Sequence, residues 1–332
     1  MKKIDLLYLS QKEVIDVGLS MKDAISIVED VFREHGLKQF ENPPKPGIHP
    51  LSDAFIHAMP GYLPRKNAGG LKWVSGFASN YKYDLPTIMG LIILNDVNTG
   101  QPLAVMDGGY ITNMRTAAAS AVAAKYLANK DAKVLGIVGA GIQARYHLLS
   151  LKEVLGEIEV VRIFDVNSEV SQRLLDMMSA QVPFEIQICQ SNQEVIEGAD
   201  VVVTATGWLQ EPIFKEKWLE SGTLVLPVHT RGWEPATLSK VDKFIVDDFQ
   251  QFDSFVGGAD GFYSPLPSLH AELGEIVIGE KTGRETHEER IIDFNVGIAI
   301  HDVSMASGVF KRAKEKGLGT LLPFMEDNLP FA

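Results

Sequence analysis

From residue 133 onward the chain alternates short apolar, β-branched runs with amphipathic stretches, and no other feature restricts its fold as strongly. Strands are expected at 133–138, 159–165, 184–189, 200–206, 223–228 and 243–247. Helices are expected at 143–155 and 169–180, with a short one at 192–197. Near-continuous apolar strands separated by helices call for a parallel sheet covered on both faces. The first strand, Lys133-Val134-Leu135-Gly136-Ile137-Val138, runs directly into Gly139-Ala140-Gly141-Ile142-Gln143-Ala144. A G-x-G-x-x-A turn after a strand and before a helix is the arrangement that receives a dinucleotide pyrophosphate. Gly139 permits the tight turn, Gly141 lets the backbone approach the anion, and Ala144 keeps the helix close to the sheet. The helix N-terminus supplies N–H donors. A glycine turn that binds nothing is the competing reading.

The second strand ends in Asp165, 24 positions after Gly141, near the spacing of about 20 expected for a ribose-binding carboxylate. Such a carboxylate accepts hydrogen bonds from both adenosine ribose hydroxyls and repels a 2′-phosphate. Two unit charges about 4 Å apart at an effective dielectric near 20 interact by roughly 4 kcal/mol. A tenfold preference needs only about 1.4 kcal/mol. Val166-Asn167-Ser168 follow Asp165 with no arginine among them. NAD is therefore expected over NADP.

The N-terminal part reads differently. A capped amphipathic helix is expected at 20–35, with Ser20 as N-cap, followed by the breaker Pro43-Pro44-Lys45-Pro46-Gly47. Short strands are expected at 54–58, 68–77, 87–94 and 102–106, with a hairpin signal across Asn95-Asp96-Val97-Asn98-Thr99-Gly100. This pattern suggests an antiparallel or mixed sheet. An alanine-rich helix is expected at 116–128, and a long C-terminal helix at 295–316, ended by Gly317-Leu318-Gly319. The fold class is α/β: a Rossmann-type doubly wound parallel sheet plus an α+β domain. The length of 332 residues fits two domains.

Composition excludes several classes. The formal net charge of -12, with no Lys/Arg-rich run, argues against a nucleic-acid partner. Cys189 is the sole cysteine, so no intrachain disulfide or cysteine-based metal cluster can form. The eight histidines show no H-x-x-x-H or H-E-x-x-H spacing, so no metal site is expected, and His287-Glu288-Glu289 reads as a solvated charge run. Lys2 and Lys3 precede no apolar stretch, because Asp5 and Gln11-Lys12-Glu13 interrupt it, so no signal peptide is expected. No apolar run reaches the roughly 18–20 residues of a membrane span. A cytoplasmic location is expected.

Asp107-Gly108-Gly109-Tyr110-Ile111-Thr112-Asn113-Met114-Arg115-Thr116-Ala117-Ala118 resembles the run leading into an Arg-Thr-x-Ala helix in the ornithine cyclodeaminase/mu-crystallin family. Leu85-Pro86-Thr87, Thr99-Gly100-Gln101-Pro102-Leu103-Ala104, Val203-Thr204-Ala205-Thr206 and Pro212-Ile213-Phe214 are similar to it as well. So are Ala271-Glu272-Leu273-Gly274-Glu275-Ile276 with Gly279 and Arg284, and Val296-Gly297-Ile298-Ala299 with Asp302. The resemblance implies a substrate-binding and dimerisation domain (1–125 with 300–332), a Rossmann NAD-binding domain (126–299), and a homodimer. It implies NAD(P)-dependent chemistry at the α-carbon of an amino acid. To Gly139, Gly141 and Asp165 it adds Thr116, Ala140, Ile142, Gln143, Thr204, Ala205, Thr206 and Val228 as cofactor-binding positions.

Arg115 stands at the family's substrate-carboxylate position, at the start of the expected alanine-rich helix. Its planar fork matches a carboxylate bidentately, and a surface salt bridge is the plainer reading. Lys72 falls in an apolar strand, where an isolated ammonium costs several kcal/mol to bury. Desolvation of that kind depresses a lysine pKa and suits it to proton transfer; an edge lysine reaching solvent is the alternative. Lys45 replaces a second carboxylate-binding arginine of many relatives, keeping charge without the fork. His57 stands where cyclodeaminases resemble one another in having a glutamate, and a histidine there suits proton handling near neutral pH; a core or edge histidine is the alternative. In Pro227-Val228-His229-Thr230-Arg231-Gly232-Trp233-Glu234, Arg231 falls near the aspartate that assists proton transfer in cyclodeaminases. The cation there opposes the terminal ammonium of ornithine and attracts an acid group. Asn295 stands where relatives often have serine, as a polar contact or a helix N-cap near the nicotinamide, and Gly297 adjoins it among the substrate-binding positions.

Two enzymatic readings follow. One is net redox, an NAD-dependent amino-acid dehydrogenase or imine reductase; the other is an ammonia-lyase, a cyclodeaminase that uses NAD catalytically. A non-catalytic mu-crystallin-like small-ligand binder is the third possibility.

Overall fold

Burial that alternates along the early strands gives one N-terminal sheet two different faces. The structure is a computed structural model describing residues 3–207, 209–257 and 261–326. Among these, 3–20, 39–112 and 298–326 form one compact body, and 21–38 with 113–257 and 261–297 form a second. The divisions fall at 112/113 and 297/298 rather than at 125 and 300, and residues 21–38 join the second body.

In the first body, β1 (Ile4–Leu9), β2 (Gly47–Ile48), β3 (Ala54–Leu63), β4 (Ala68–Phe77), β5 (Ile88–Asn95) and β6 (Pro102–Asp107) form a sheet with the strand Thr320–Met325. The order is Thr320–Met325, β1, β6, β5, β4, β3, β2, antiparallel throughout except for the parallel pair β1/β6. Val74, Ile92, Leu94, Ala104 and Met106 are buried, and the helix Ala299–Lys316 packs on β3, β4 and β5. Gly61 permits that approach: a Cβ there would stand 3.1 Å from the Ile300 nitrogen.

In the second body, β7 (Val134–Val138), β8 (Val160–Phe164), β9 (Glu185–Ile188), β10 (Val201–Thr204), β11 (Leu224–Pro227), β12 (Lys243–Val246), β13 (Ala271–Glu272) and β14 (Ile291–Phe294) form a wholly parallel sheet. The order is β13-β12-β14-β11-β10-β7-β8-β9. It reverses direction between β7 and β10, the switch point at which doubly wound sheets bind ligands beyond their carboxyl ends. The central strands are apolar on both sides: Leu135, Ile137, Val201, Val202, Val203, Leu224 and Val225 are fully buried.

The alanine-rich helix runs Gly109–Leu127 and starts seven residues earlier than the expected 116. Its first turn is anchored by Asp107, which accepts the Tyr110 N–H at 2.8 Å. Arg115 therefore lies in the second turn, not at the start. The C-terminal helix begins at Ala299 rather than at 295, because Gly297 adopts φ +84° and interrupts it. Among the described residues, no helix is long and apolar enough to cross a membrane.

Candidate active site

The glycine turn between β7 and the helix Ile142–Leu151 is shaped by two glycines with opposite requirements. Gly139 has φ +90°, and a Cβ on it would lie 2.5 Å from the Ala205 carbonyl oxygen. Gly141 caps the helix without any side-chain hydrogen bond, and a Cβ there would have no atom within 4 Å. The first glycine seats the turn against the end of β10, and the second leaves an open approach to the helix N-terminus. Ala144 is fully buried. The Asp165 carboxylate, just past β8, accepts the Ala140 N–H at 2.9 Å with one oxygen and the Asn167 N–H at 2.9 Å with the other. Each oxygen keeps a second lone pair for a ribose hydroxyl, and Val166 beside it is open to solvent. Open cradle, helix N-terminus and poised carboxylate together fit an adenine dinucleotide.

The other positions expected around a cofactor differ in availability. Gln143 donates to Asn113 Oδ1 at 3.0 Å, and Ile142 is half exposed. Thr204 is fully buried, and its hydroxyl accepts from Trp233 Nε1 at 3.3 Å. Its side chain thus belongs to the core, while Ala205 and Thr206 reach the loop. The buried Thr206 Oγ1 has no hydrogen-bond partner among the described residues. The Val228 N–H donates to the Thr204 carbonyl at 2.9 Å, tying the ends of β10 and β11 together. Thr116 follows Arg115 on the alanine-rich helix and is half-buried.

Arg115 is 7 % exposed, which overturns the surface salt-bridge alternative. Its guanidinium lies against Gly297, where a Cβ would stand 2.6 Å from Nη1. Asn295 does not cap the C-terminal helix, whose N-cap is Ile298; its amide instead donates to Asp293 Oδ2 at 2.6 Å. The Arg231 guanidinium stacks 5.6 Å over the Phe262 ring. Two residues earlier, His229 stacks on Phe214 with ring centroids 5.6 Å apart. Burial lowers its pKa to about 3, leaving the imidazole neutral.

In the first body, Lys72 is 1 % exposed, so the edge-lysine alternative fails. Nor is it an isolated charge. Its ammonium lies 2.8 Å from the fully buried Asp302 carboxylate and donates to Thr112 Oγ1 at 3.4 Å. Asp302 stabilises the charged form that desolvation opposes, which removes the premise of an isolated buried ammonium. His57 is buried on β3 and stacked on Phe55 at 4.3 Å. Burial, then the positive charge of the half-buried Lys45, then His49 and Lys72 lower its pKa to about 4. The expected titration near neutral pH is thus corrected: the imidazole is neutral there. Among the described residues, no group of three or more His, Cys, Asp or Glu is placed to hold a metal.

The family model that matches residues 7–317 is that of the ornithine cyclodeaminase/mu-crystallin family. The chain belongs to this family. It is 41% identical to the nodulation efficiency protein NfeD of Rhizobium meliloti, over 96% of this chain and 98% of that protein. Among solved structures, the Δ1-pyrroline-2-carboxylate reductase of Thermococcus litoralis, in complex with NADH and L-proline, is 36% identical with a TM-score of 0.85. That match covers 95% of this chain and 99% of the reductase. An archaeal alanine dehydrogenase dimer with bound NAD is 34% identical with a TM-score of 0.86, covering 97% of this chain and 100% of that one.

For this member of the ornithine cyclodeaminase/mu-crystallin family, reading the sequence missed Asp302 as the partner of Lys72. The signal was present: each is a lone charge in an apolar run, Gly70-Leu71-Lys72-Trp73-Val74 and Ile298-Ala299-Ile300-His301-Asp302-Val303. Two opposite charges in such settings call for each other, because neither is tolerated alone.

Proposed function

We propose that this chain is an NAD-dependent oxidoreductase that transfers hydride at the α-carbon of a small amino acid or its imine. The observation that carries the reading is Arg115, a buried guanidinium in the body that also presents the open glycine cradle. The planar fork of a guanidinium matches an α-carboxylate bidentately. The Thermococcus reductase with NADH and L-proline and the alanine dehydrogenase with NAD support the same cofactor and substrate class.

Bound NAD supplies the hydride acceptor, and NADH the donor, at the nicotinamide ring. Asp165 selects NAD by accepting its ribose hydroxyls and repelling a 2′-phosphate. Arg115 holds the α-carboxylate, with Lys45 adding positive charge, and Gly297 and Asn295 border the same position. Holding a substrate in reacting geometry can remove roughly 7–11 kcal/mol of a barrier. Neutral His57 offers a hydrogen-bond partner to the substrate amino group. Lys72, kept charged by Asp302, donates to the substrate nitrogen or carboxylate. Arg231 faces a second acid group and disfavours a substrate with a terminal ammonium. The protein acts as a homodimer in the cytoplasm; the half-exposed Trp73 and Leu91 on the outer face of the first sheet support the dimer, and the lone buried cysteine fits a reducing compartment.

The test is to supply amino acids with NAD and follow NADH and ammonia together. Stoichiometric NADH with ammonia supports the dehydrogenase. Ammonia released without NADH shows cyclodeamination, and tight NADH binding without turnover shows a binder. Arg115→Met should raise KM for the substrate at least tenfold while NADH affinity stays within about twofold, since one charged hydrogen bond is worth about 1.5–3 kcal/mol.

A further inference from the structure

β12 and β14 are neighbours, with Ile245 opposite Asp293 and Val246 opposite Phe294. Beyond them the Asp247 N–H donates to the Phe294 carbonyl at 3.1 Å, which puts Asp247 two residues past the partner of Asp293 at the adjacent strand end, near enough for its charge to act on the Asp293 carboxyl. Both are fully buried. Their hydrogen bonding differs. Asp247 accepts two backbone N–H groups, from Asp248 at 3.0 Å and from Gly297 at 2.7 Å. Asp293 accepts one side-chain amide, from Asn295 at 2.6 Å on Oδ2, and its Oδ1 has no hydrogen-bond partner among the described residues.

We infer that Asp293 carries a proton in the folded protein, and that the pair positions the Gly297 turn against which the Arg115 guanidinium rests. Two like charges in one buried site cannot both persist, and the carboxylate with more N–H donors keeps the charge. Asp247 is that anion. Its bond to Gly297 fixes a backbone at φ +84° that only glycine fills easily, since a Cβ would stand 2.6 Å from Arg115 Nη1. Burial first, then the charge of Asp247, push the Asp293 carboxyl up to about 8, with Asn295 opposing. Further charged and titratable groups lie beside Asp247: Asp248 follows it, His35 of the helix Met21–Gly36 lies 3.3 Å from Asp248 Oδ2, Glu272 of β13 lies 4.0 Å from His35, and Arg115 lies against Gly297, whose N–H Asp247 accepts.

The link to catalysis rests on the proposed role of Arg115 in holding a carboxylate; the proton itself does not. As pH rises past about 8, Asp293 ionises beside Asp247 and the Gly297 turn loosens. Hydrogen exchange at the Gly297 amide, read by mass spectrometry on the full chain without substrate, tests this. In the wild type its protection should hold to pH 7 and fall about tenfold by one pH unit above the titration point. In Asp293→Asn, an uncharged isostere, protection should not change with pH; in Asp247→Asn it should be low throughout.

Stability gives a second readout. Folded Asp293 keeps a proton that the unfolded chain releases near 3.8, so wild-type stability falls as pH rises from there to about 8. The Tm of Asp293→Asn should therefore gain on that of the wild type up to pH 8 and then run parallel. Infrared difference spectra of the wild type alone should lose a buried carboxylic-acid band between pH 7 and 9, whether or not the variant folds. No such band, or the same pH dependence in both proteins, overturns the inference. An unchanged KM in Arg115→Met would instead sink the carboxylate reading and leave the proton measurements standing.

Discussion

At the residue scale, Asp165 combines two jobs that a single substitution separates. Its carboxylate anchors the glycine turn through Ala140, and in the proposed function its charge discriminates between cofactors. Asp165→Asn keeps an oxygen for the Ala140 N–H and removes the charge. We expect the kcat/KM ratio for NAD over NADP to fall at least tenfold, a change that needs only about 1.4 kcal/mol, with Tm little altered. Lys72 and Asp302 make a different case, because each is the other's compensation inside the first body. Asp302→Asn strands a buried ammonium and should cost about 3–5 kcal/mol in urea unfolding, while Lys72→Met with Asp302→Leu should recover most of that loss. A single variant as stable as the wild type would show that water or another anion reaches Lys72.

At the scale of elements, the glycine turn separates folding from binding within three residues. Gly139→Ala forces a Cβ into the Ala205 carbonyl at a positive φ; we expect a loss of about 1–3 kcal/mol in thermal or urea unfolding. Gly141→Ala places its Cβ with no neighbouring atom within 4 Å among the described residues, so Tm should hold while NADH affinity, followed by fluorescence titration, drops at least tenfold. This turn was legible in the sequence because its φ and close-approach requirements are local. So was β4, whose expected and observed bounds coincide. β3 is expected at 54–58, yet the strand continues through Pro60 and Gly61 to Leu63. Ala58 donates to the Pro46 carbonyl and Tyr62 to that of Glu41; Pro60 sits between them, where its missing N–H breaks no bond. Gly61 is where the C-terminal helix comes close. Both reasons are tertiary, as is the pairing of Lys72 with Asp302, and local pattern does not record them. The alanine-rich helix starts earlier than its alanine content indicates, because Asp107 accepts the Tyr110 N–H in the first turn.

At the scale of the whole molecule, the first sheet presents apolar side chains on both faces, and the chain's own C-terminal helix packs only against the one that carries Val74 and Ile92. On the other, Trp73 and Leu91 stand directly opposite each other on β4 and β5, 45% and 46% exposed. Tyr8, Leu322 and Phe324 are likewise 41%, 43% and 50% exposed on β1 and the last strand. Monomeric proteins seldom leave apolar surface of this extent in water, and stable interfaces bury about 1,200–2,000 Å² in total. A second copy of the chain is the simplest cover, because a two-fold axis lets one patch bury itself. Sedimentation should therefore give twice the 36.5 kDa chain mass at micromolar concentration. Trp73→Glu or Leu91→Glu would place paired charges at the centre of that contact and should shift the protein to monomer. Tyr81→Ser, which trims a ring 74% exposed in the turn after β4 rather than on the sheet, should not. If the glutamate variants stay dimeric, the contact lies elsewhere and the bare face needs another occupant. Circular dichroism should show both variants folded, since neither side chain belongs to the core beneath the C-terminal helix.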